Sequence, residues 1–249
     1  MVIKNLYICG CSFLTKRKSS RKYFVTTTAG LEIASRFGLN PLSYAAGGRG
    51  NDRIIAATKH FFSENKEASA DTFALIGWSS SLRKDCLLRR NHATNLYDDP
   101  KYWNSIKYTD MSTIAIQQSS NLRGRMDVEN TLKLQHYMNI LNLQDFFKLR
   151  GIKYCMYDAL DNQWKGKGIW RQHFESEVDK EKFFGFNTLS HFSFVNSKDN
   201  EHIPEEYKGS SLNCDGLVKG VKHDEHPNNL GHTLWADKLE GFIKENKLL

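Results

Sequence analysis

Short apolar runs that each end at a glycine or a small polar cluster, with helix-like stretches between them, constrain this chain more than any other feature. Leu6 to Cys9 is such a run and stops at Gly10. Residues 28–37 place apolar side chains at 31, 33, 34 and 37, which predicts a helix with Thr27 or Thr28 as its N-cap and Gly38 as its stop. Pro41 to Ala46 reads as a second short strand leading into Gly47-Gly48-Arg49-Gly50-Asn51-Asp52, and Ile54, Ile55, Thr58, Phe61 and Phe62 mark the stripe of the next helix. Thr72 to Gly77 is a clean apolar strand that ends in Trp78-Ser79-Ser80-Ser81. Strand, helix, strand, helix, strand is the order of a parallel sheet covered on both faces. The expected fold class is therefore α/β, a three-layer α/β/α arrangement around a central, mostly parallel sheet.

The rhythm breaks over residues 84–130, which are polar, aromatic and irregular, with Asp98-Asp99-Pro100 as a turn. Residues 131–149 are the longest helix candidate; Leu134, Met138 and Leu141 share a face, Phe146 and Leu149 extend it, and Gly151 closes it. Lys153 to Tyr157 is a fourth strand candidate. Residues 161–221 are irregular again, and a stretch that long is expected to hold short helices. A last helix carries Leu234, Trp235, Leu239, Phe242 and Ile243, with Asn228 or Asn229 as its cap. No repeat or linker interrupts the pattern. The expectation is one domain over 1–249 with insertions at about 85–130 and 161–221.

A chain of 249 residues, 40% hydrophobic and 25% charged, has ample apolar mass for a core. No run approaches the roughly 18 apolar residues of a membrane span. The stretch from Val2 to Phe13 reads as a first buried strand and not as a signal peptide, so the expected location is the cytoplasm, with a phage- or virus-encoded protein included. Five cysteines, at 9, 11, 86, 155 and 214, are an odd set for a disulfide framework and read as buried apolar residues. Cys9 and Cys11 are expected on one face of the strand, and no second close pair exists to complete a zinc site. The net charge of +7 raises nucleic acid as a partner, but the basic residues are scattered. Their one cluster, Lys16-Arg17-Lys18 with Arg21-Lys22, reads as a solvated loop or as a phosphate contact.

Open parallel sheets hold ligands beyond the carboxyl ends of their strands. Gly10-Cys11-Ser12, the 47–52 turn and Gly77-Trp78-Ser79-Ser80 all fall there, and His223-Asp224-Glu225-His226 precedes the last helix. Ser12, just past a strand, suits a nucleophile whose neighbouring backbone N–H groups face an oxyanion, or equally a cap of the next segment. A serine needs a base, and His226, with an ordinary pKa of about 6.5, is the best candidate. Asp224, two residues earlier, suits the task of holding the imidazole in one tautomer. The glycine-rich turn fits neither the dinucleotide G-x-G-x-x-G spacing nor a phosphate loop.

This arrangement resembles the SGNH hydrolases, the GDSL-type esterases and lipases. Gly10-Cys11-Ser12-Phe13 matches their first block, the 46–52 turn matches the second in position, and Asp224 with His226-Pro227-Asn228, Gly231-His232 and Trp235-Ala236 matches the last. The resemblance covers both ends and the first third of the chain, while residues 85–215 have no specific counterpart. It implies a flavodoxin-like sheet, the triad Ser12, Asp224 and His226, and an oxyanion hole formed by the N–H groups of Ser12 and Gly48, with Gly50 next in line. The implied reaction is hydrolysis of a carboxylic ester, an acetylated carbohydrate among the candidates, through an acyl-enzyme and without a cofactor or metal.

Three departures bear on this. Cys11 replaces the first-block aspartate. Asp224 lies two residues before His226 where the family usually has three, so His223 holds the usual place and Asp215 is a distant backup. Ser79 stands where the third block has an asparagine that donates to the oxyanion, and Asn51 is the alternative donor. Trp78, Arg49 and Arg83 are expected to shape the substrate end. Two other readings stay open: a protein of the same fold with a dead site, which binds or builds, and a nucleic-acid-associated protein.

Overall fold

A computed structural model describes residues 2–19, 22–87, 103–107, 128–162, 169–197, 203–215, 217 and 224–249. Five strands form the main sheet: β1 (Asn5–Gly10), β4 (Asn40–Ser43), β5 (Thr72–Trp78), β8 (Lys153–Asp158) and β9 (Phe183–Phe184). All are parallel to their neighbours, in the order β4-β1-β5-β8-β9. In chain order that is 2-1-3-4-5, the doubly wound flavodoxin-like sheet. The chain leaves β1 to one side for β4 and returns on the other side as β5, so a switch point lies beyond the carboxyl end of β1. Residue 12 is the second residue past that end.

Alternation along the strands sorts their side chains onto two cores. Leu6 and Ile8 of β1, Phe73 and Leu75 of β5, and Cys155 and Tyr157 of β8 face α1 (Ala29–Arg36) and α7 (Asn229–Glu245), which contribute Ile33, Leu234, Trp235 and Leu239. Tyr7, Cys9, Ala74, Ile76, Trp78 and Met156 face the opposite way, toward α2 (Asn51–Glu64) and α4 (Val128–Leu149), which contribute Ile54, Phe62, Ile140, Leu143 and Phe147. Each leucine, isoleucine, phenylalanine or methionine among them contributes roughly 1.5–3 kcal/mol when fully buried. Burial on both faces is why the strands read as unbroken apolar runs. Cys9 and Cys11 fall on different cores, contrary to the shared face expected: the strand ends at Gly10 and Cys11 already enters the 3-10 turn Ser12–Leu14. Cys9, Cys11, Cys155 and Cys214 are free and buried.

The expected helices form, but α4 buries Tyr137, Ile140, Leu143 and Phe147 and leaves Met138 and Leu149 exposed, contrary to the face expected. Thr28 caps α1 by accepting from the Leu31 N–H, and Asn228 caps α7 by accepting from the Gly231 N–H at 2.8 Å. The second strand is shorter than expected, but Tyr44 and Ala46 still donate to the carbonyls of Ile8 and Gly10, which keeps the following turn against the end of β1. Arg17, Lys18 and Lys22 of the basic cluster stand on strands, and Arg21 lies outside the described residues. β2 (Arg17–Ser19) and β3 (Lys22–Val25) pair antiparallel. Residues 83–107 include a second antiparallel pair, β6 (Arg83–Leu87) with β7 (Trp103–Lys107). Between 169 and 207 lie α5 (Ile169–Glu177), the edge strand β9, α6 (His191–Asn196) and two 3-10 turns. A short helix, α3 (Ala68–Asp71), precedes β5. The Asp98-Asp99-Pro100 turn and His223 lie outside the described residues. No described helix is long and apolar enough to cross a membrane.

Candidate active site

Gly10 and Gly77 sit opposite each other at the ends of β1 and β5. A Cβ on Gly10 would lie 2.7 Å from the Gly77 carbonyl, and one on Gly77 would lie 2.5 Å from Leu14. Two bare strand ends thus let Leu14 fold down over them. The turn Ser12–Leu14 closes with the Thr15 N–H and hydroxyl on the Ser12 carbonyl, and Ser12 is left half-buried on the rim.

His226 reaches this rim from the other end of the chain. The segment ahead of α7 runs beside residues 212–214: Asn213 bridges Pro227, and the Cys214 N–H lies between the carbonyls of Asp224 and His226. The backbone bends at His226, and its N–H turns back to Asp224 Oδ1 at 3.3 Å, which brings the two side chains together. That local geometry accommodates the short Asp-to-His spacing. His226 Nε2 is 2.8 Å from Ser12 Oγ, and His226 Nδ1 is 2.9 Å from Asp224 Oδ1. An ionised carboxylate can only accept, which sets the ring proton on Nδ1 and leaves Nε2 to accept from the serine hydroxyl. The Phe13 ring lies 4.9 Å from the His226 ring, and its bulk fixes one side of the imidazole. Asp215, the distant alternative acid, is exposed, and its N–H turns to Asn213.

Arg17 is the residue that sequence reading missed. Its Nη1 lies 2.7 Å from Asp224 Oδ1, the oxygen that also receives the imidazole. The Asp224 side chain is 6% exposed and those of Arg17 and His226 are each 28% exposed. The hairpin that carries Arg17 is tied to the same segment, since Thr26 and Thr27 donate their N–H groups to Asn229. Arg17 stood in the basic cluster read as a loop or phosphate contact. Its partner is 207 residues away, so no local signal marks the pair. Burial alone would raise the Asp224 carboxyl, but hydrogen bonds from the His226 ring and backbone and the Arg17 charge outweigh it and hold the acid below its usual range. Burial first, then the Arg17 charge, lowers the His226 imidazole against the opposing pull of Asp224. A neutral imidazole at neutral pH is the state a general base needs.

The third-block side of the site departs from expectation. Asn51 is 3% exposed and fully engaged: its amide donates to the Ser79 carbonyl and to His136 Nδ1, while its own carbonyl accepts the Ser79 N–H at 2.8 Å. It is a clamp on the end of β5, not a free oxyanion donor. Ser79 has no exposed surface, and its hydroxyl accepts from Arg83 Nη1 at 3.4 Å. Trp78 is also fully buried, in the core under α2 and α4, so it is no wall of the substrate end. Trp78 is still paired with Asp158 of β8, one residue past the last β1–β5 pair, which turns its side chain into that core. Arg49 turns onto its own loop, donating to the Tyr44 carbonyl. The Gly50 N–H is taken by Asp85 Oδ1. Gly48 is exposed with φ +74°, a left-handed conformation that suits glycine. Arg83 is half-buried near the imidazole, whose pKa its charge helps to lower. No group of three or more His, Cys, Asp or Glu suited to a metal occurs among the described residues.

No protein-family model and no curated protein matches the chain. Among solved structures the chain is similar to a Parabacteroides merdae ATCC 43184 protein provisionally assigned as a GDSL-like lipase. The match has 12% identity and a TM-score of 0.39, over 100% of this chain and 99% of that one. A likeness that distant carries no weight for the chemistry, which rests on Ser12 and its neighbours.

Proposed function

We propose that the chain is a serine hydrolase that cleaves carboxylic esters, with Ser12 as nucleophile, His226 as general base and acid, and Asp224 as the group that orients the imidazole. The observation that carries this is the unbroken chain of hydrogen bonds from Ser12 Oγ through the His226 ring to Asp224, at 2.8 and 2.9 Å. These are distances at which a proton moves between heteroatoms without rearrangement.

As Ser12 Oγ bonds to the carbonyl carbon, its proton passes to His226 Nε2. The tetrahedral oxyanion is held by the N–H groups of Ser12 and Gly48. The bond to the alcohol oxygen then breaks, and Nε2 returns the proton to that oxygen. Water attacks the acyl-serine next, losing a proton to Nε2, and the proton goes back to Ser12 as the acid departs. Asp224 keeps its charge throughout and stabilises the imidazolium. With Asn51 engaged and Ser79 covered, neither side chain expected to donate to the oxyanion is free to do so, a loss that costs about 3 kcal/mol where it has been introduced by mutation.

That same shortage favours a second reading, a protein of this fold whose site binds an ester or sugar without cleaving it. A panel of short-chain aryl esters and acetylated sugars, run on wild type and Ser12→Ala, separates the two. Turnover lost in Ser12→Ala supports the hydrolase. Equal rates in both proteins on every ester favour the binding protein.

A further inference from the structure

We propose that Arg83 forms a subsite for an anionic group beside Ser12, so that the ester cleaved here carries a carboxylate or another oxyacid anion on its acyl or alcohol side. This rests on the hydrolase reading above and names its substrate class. Arg17, Arg36, Arg53 and Arg171 each face a carboxylate, from Asp224, from Asp237 and Glu240, from Asp85, and from Glu175. Arg83 has no carboxylate partner among the described residues. Its guanidinium makes one contact, 3.4 Å from the neutral Ser79 hydroxyl. Asp85, two residues on, faces Gly50 and Arg53 instead.

The mounting is rigid. The Arg83 N–H donates to the Ser80 carbonyl, and the turn from Ser79 to Ser81 is clamped from two sides by Asn51 and Asn162. Ser79, which the guanidinium touches, lies two residues past Gly77, and Ser12 lies two residues past Gly10, its partner on the neighbouring strand, so Arg83 is mounted on the strand end next to the nucleophile's. A guanidinium stays protonated at any working pH, and its fork matches a planar oxyacid with two parallel hydrogen bonds. A half-buried cation with no carboxylate partner among the described residues, held still next to a nucleophile, favours a ligand that supplies the charge. The same cation partly offsets the missing amide donor by drawing negative charge toward the site.

The test uses two matched pairs, 4-nitrophenyl hemiglutarate against its methyl ester and 4-acetoxybenzoate against its methyl ester. In at least one pair the anionic member is expected to lead by about tenfold or more in kcat/KM. Arg83→Gln should bring that ratio close to one and Arg83→Lys should keep part of it. Lys244→Gln, which removes a remote positive charge, should leave the ratio as it is. Ratios near one in wild type, or equal in wild type and Arg83→Gln, would overturn the subsite. A fall in Lys244→Gln equal to that in Arg83→Gln would also overturn it, because it would mean general attraction. If Ser12→Ala matches wild type on all four esters, the hydrolase reading fails, and glutarate binding to Ser12→Ala by calorimetry then decides the subsite alone. Binding that is lost in Ser12→Ala/Arg83→Gln supports it, and binding absent or unaffected overturns it.

Discussion

Two carboxylate–imidazole pairs lie at the carboxyl edge of the sheet. Asp224 and His226, ahead of α7, are 2.9 Å apart, and Asp158, the last residue of β8, is 3.3 Å from His136 in α4. The two rings differ in what meets their other nitrogen. His226 presents Nε2 to the Ser12 hydroxyl and its side chain is 28% exposed, whereas His136 presents Nδ1 to the Asn51 amide and is 2% exposed. An amide N–H offered to an imidazole is a fixed strut; a hydroxyl offered to one is the arrangement the proposed nucleophile needs. Asn162 completes the contrast, bridging Asp158 to the Ser79 carbonyl so that the buried pair holds the end of β5. On the proposed function, what separates a catalytic Asp–His pair from a structural one is whether its far nitrogen meets a hydroxyl at a surface that substrate can reach.

The sharpest way to break the comparison is to remove each ring. His226→Ala is expected to lower kcat/KM for an ester by about 10⁵-fold with little change in thermal stability. Asp224→Asn should leave the fold intact and cost about 10⁴-fold in kcat by losing the required tautomer. His136→Ala leaves the buried Asp158 carboxylate with the Asn162 amide alone among the side chains described. It is expected to cost roughly 3–5 kcal/mol of stability in a denaturant titration while the folded fraction still reacts with esters. The reverse pattern, a stable but inactive His136→Ala, would exchange the roles assigned to the two pairs.

pH sharpens the same contrast with a smaller effect. Burial and the Arg17 charge lower the His226 pKa, so the neutral base is fully present above pH 6.5 and is lost as pH falls through that lowered value. The acid limb of kcat/KM is expected below pH 6.5, and Arg17→Gln should move it upward. Arg17 also shares Asp224 Oδ1 with the imidazole, so a limb that stays in place in Arg17→Gln would make the arginine a structural brace alone.

Much of this was legible in the sequence because it is written locally. Leu6–Cys9, Thr72–Gly77 and Lys153–Tyr157 are apolar runs that only a doubly covered sheet can bury, and Thr28 and Asn228 are caps that chemistry dictates. The pairing of Ser12 with Asp224 and His226 was readable from residue types and their order along the chain. What failed depends on partners far away. Asn51 looked like a donor until Ser79 and His136 were seen to consume its amide, and Arg17 looked like solvated charge until Asp224 came to meet it. The β2–β3 hairpin has no apolar alternation to announce it, and β9 is only two residues long. Trp78 follows a glycine at a strand end, where rim and core differ by a single residue of pairing.

A fluorophosphonate probe tests the central claim most directly, because it bonds only to a serine that an adjacent base has activated. Incubated with the folded wild-type chain and followed by intact mass and peptide mapping, it should add once, at Ser12. The adduct should be absent from Ser12→Ala and form far more slowly in His226→Ala. No adduct in the folded protein, or an adduct on another serine that Ser12→Ala leaves in place, would contradict the account.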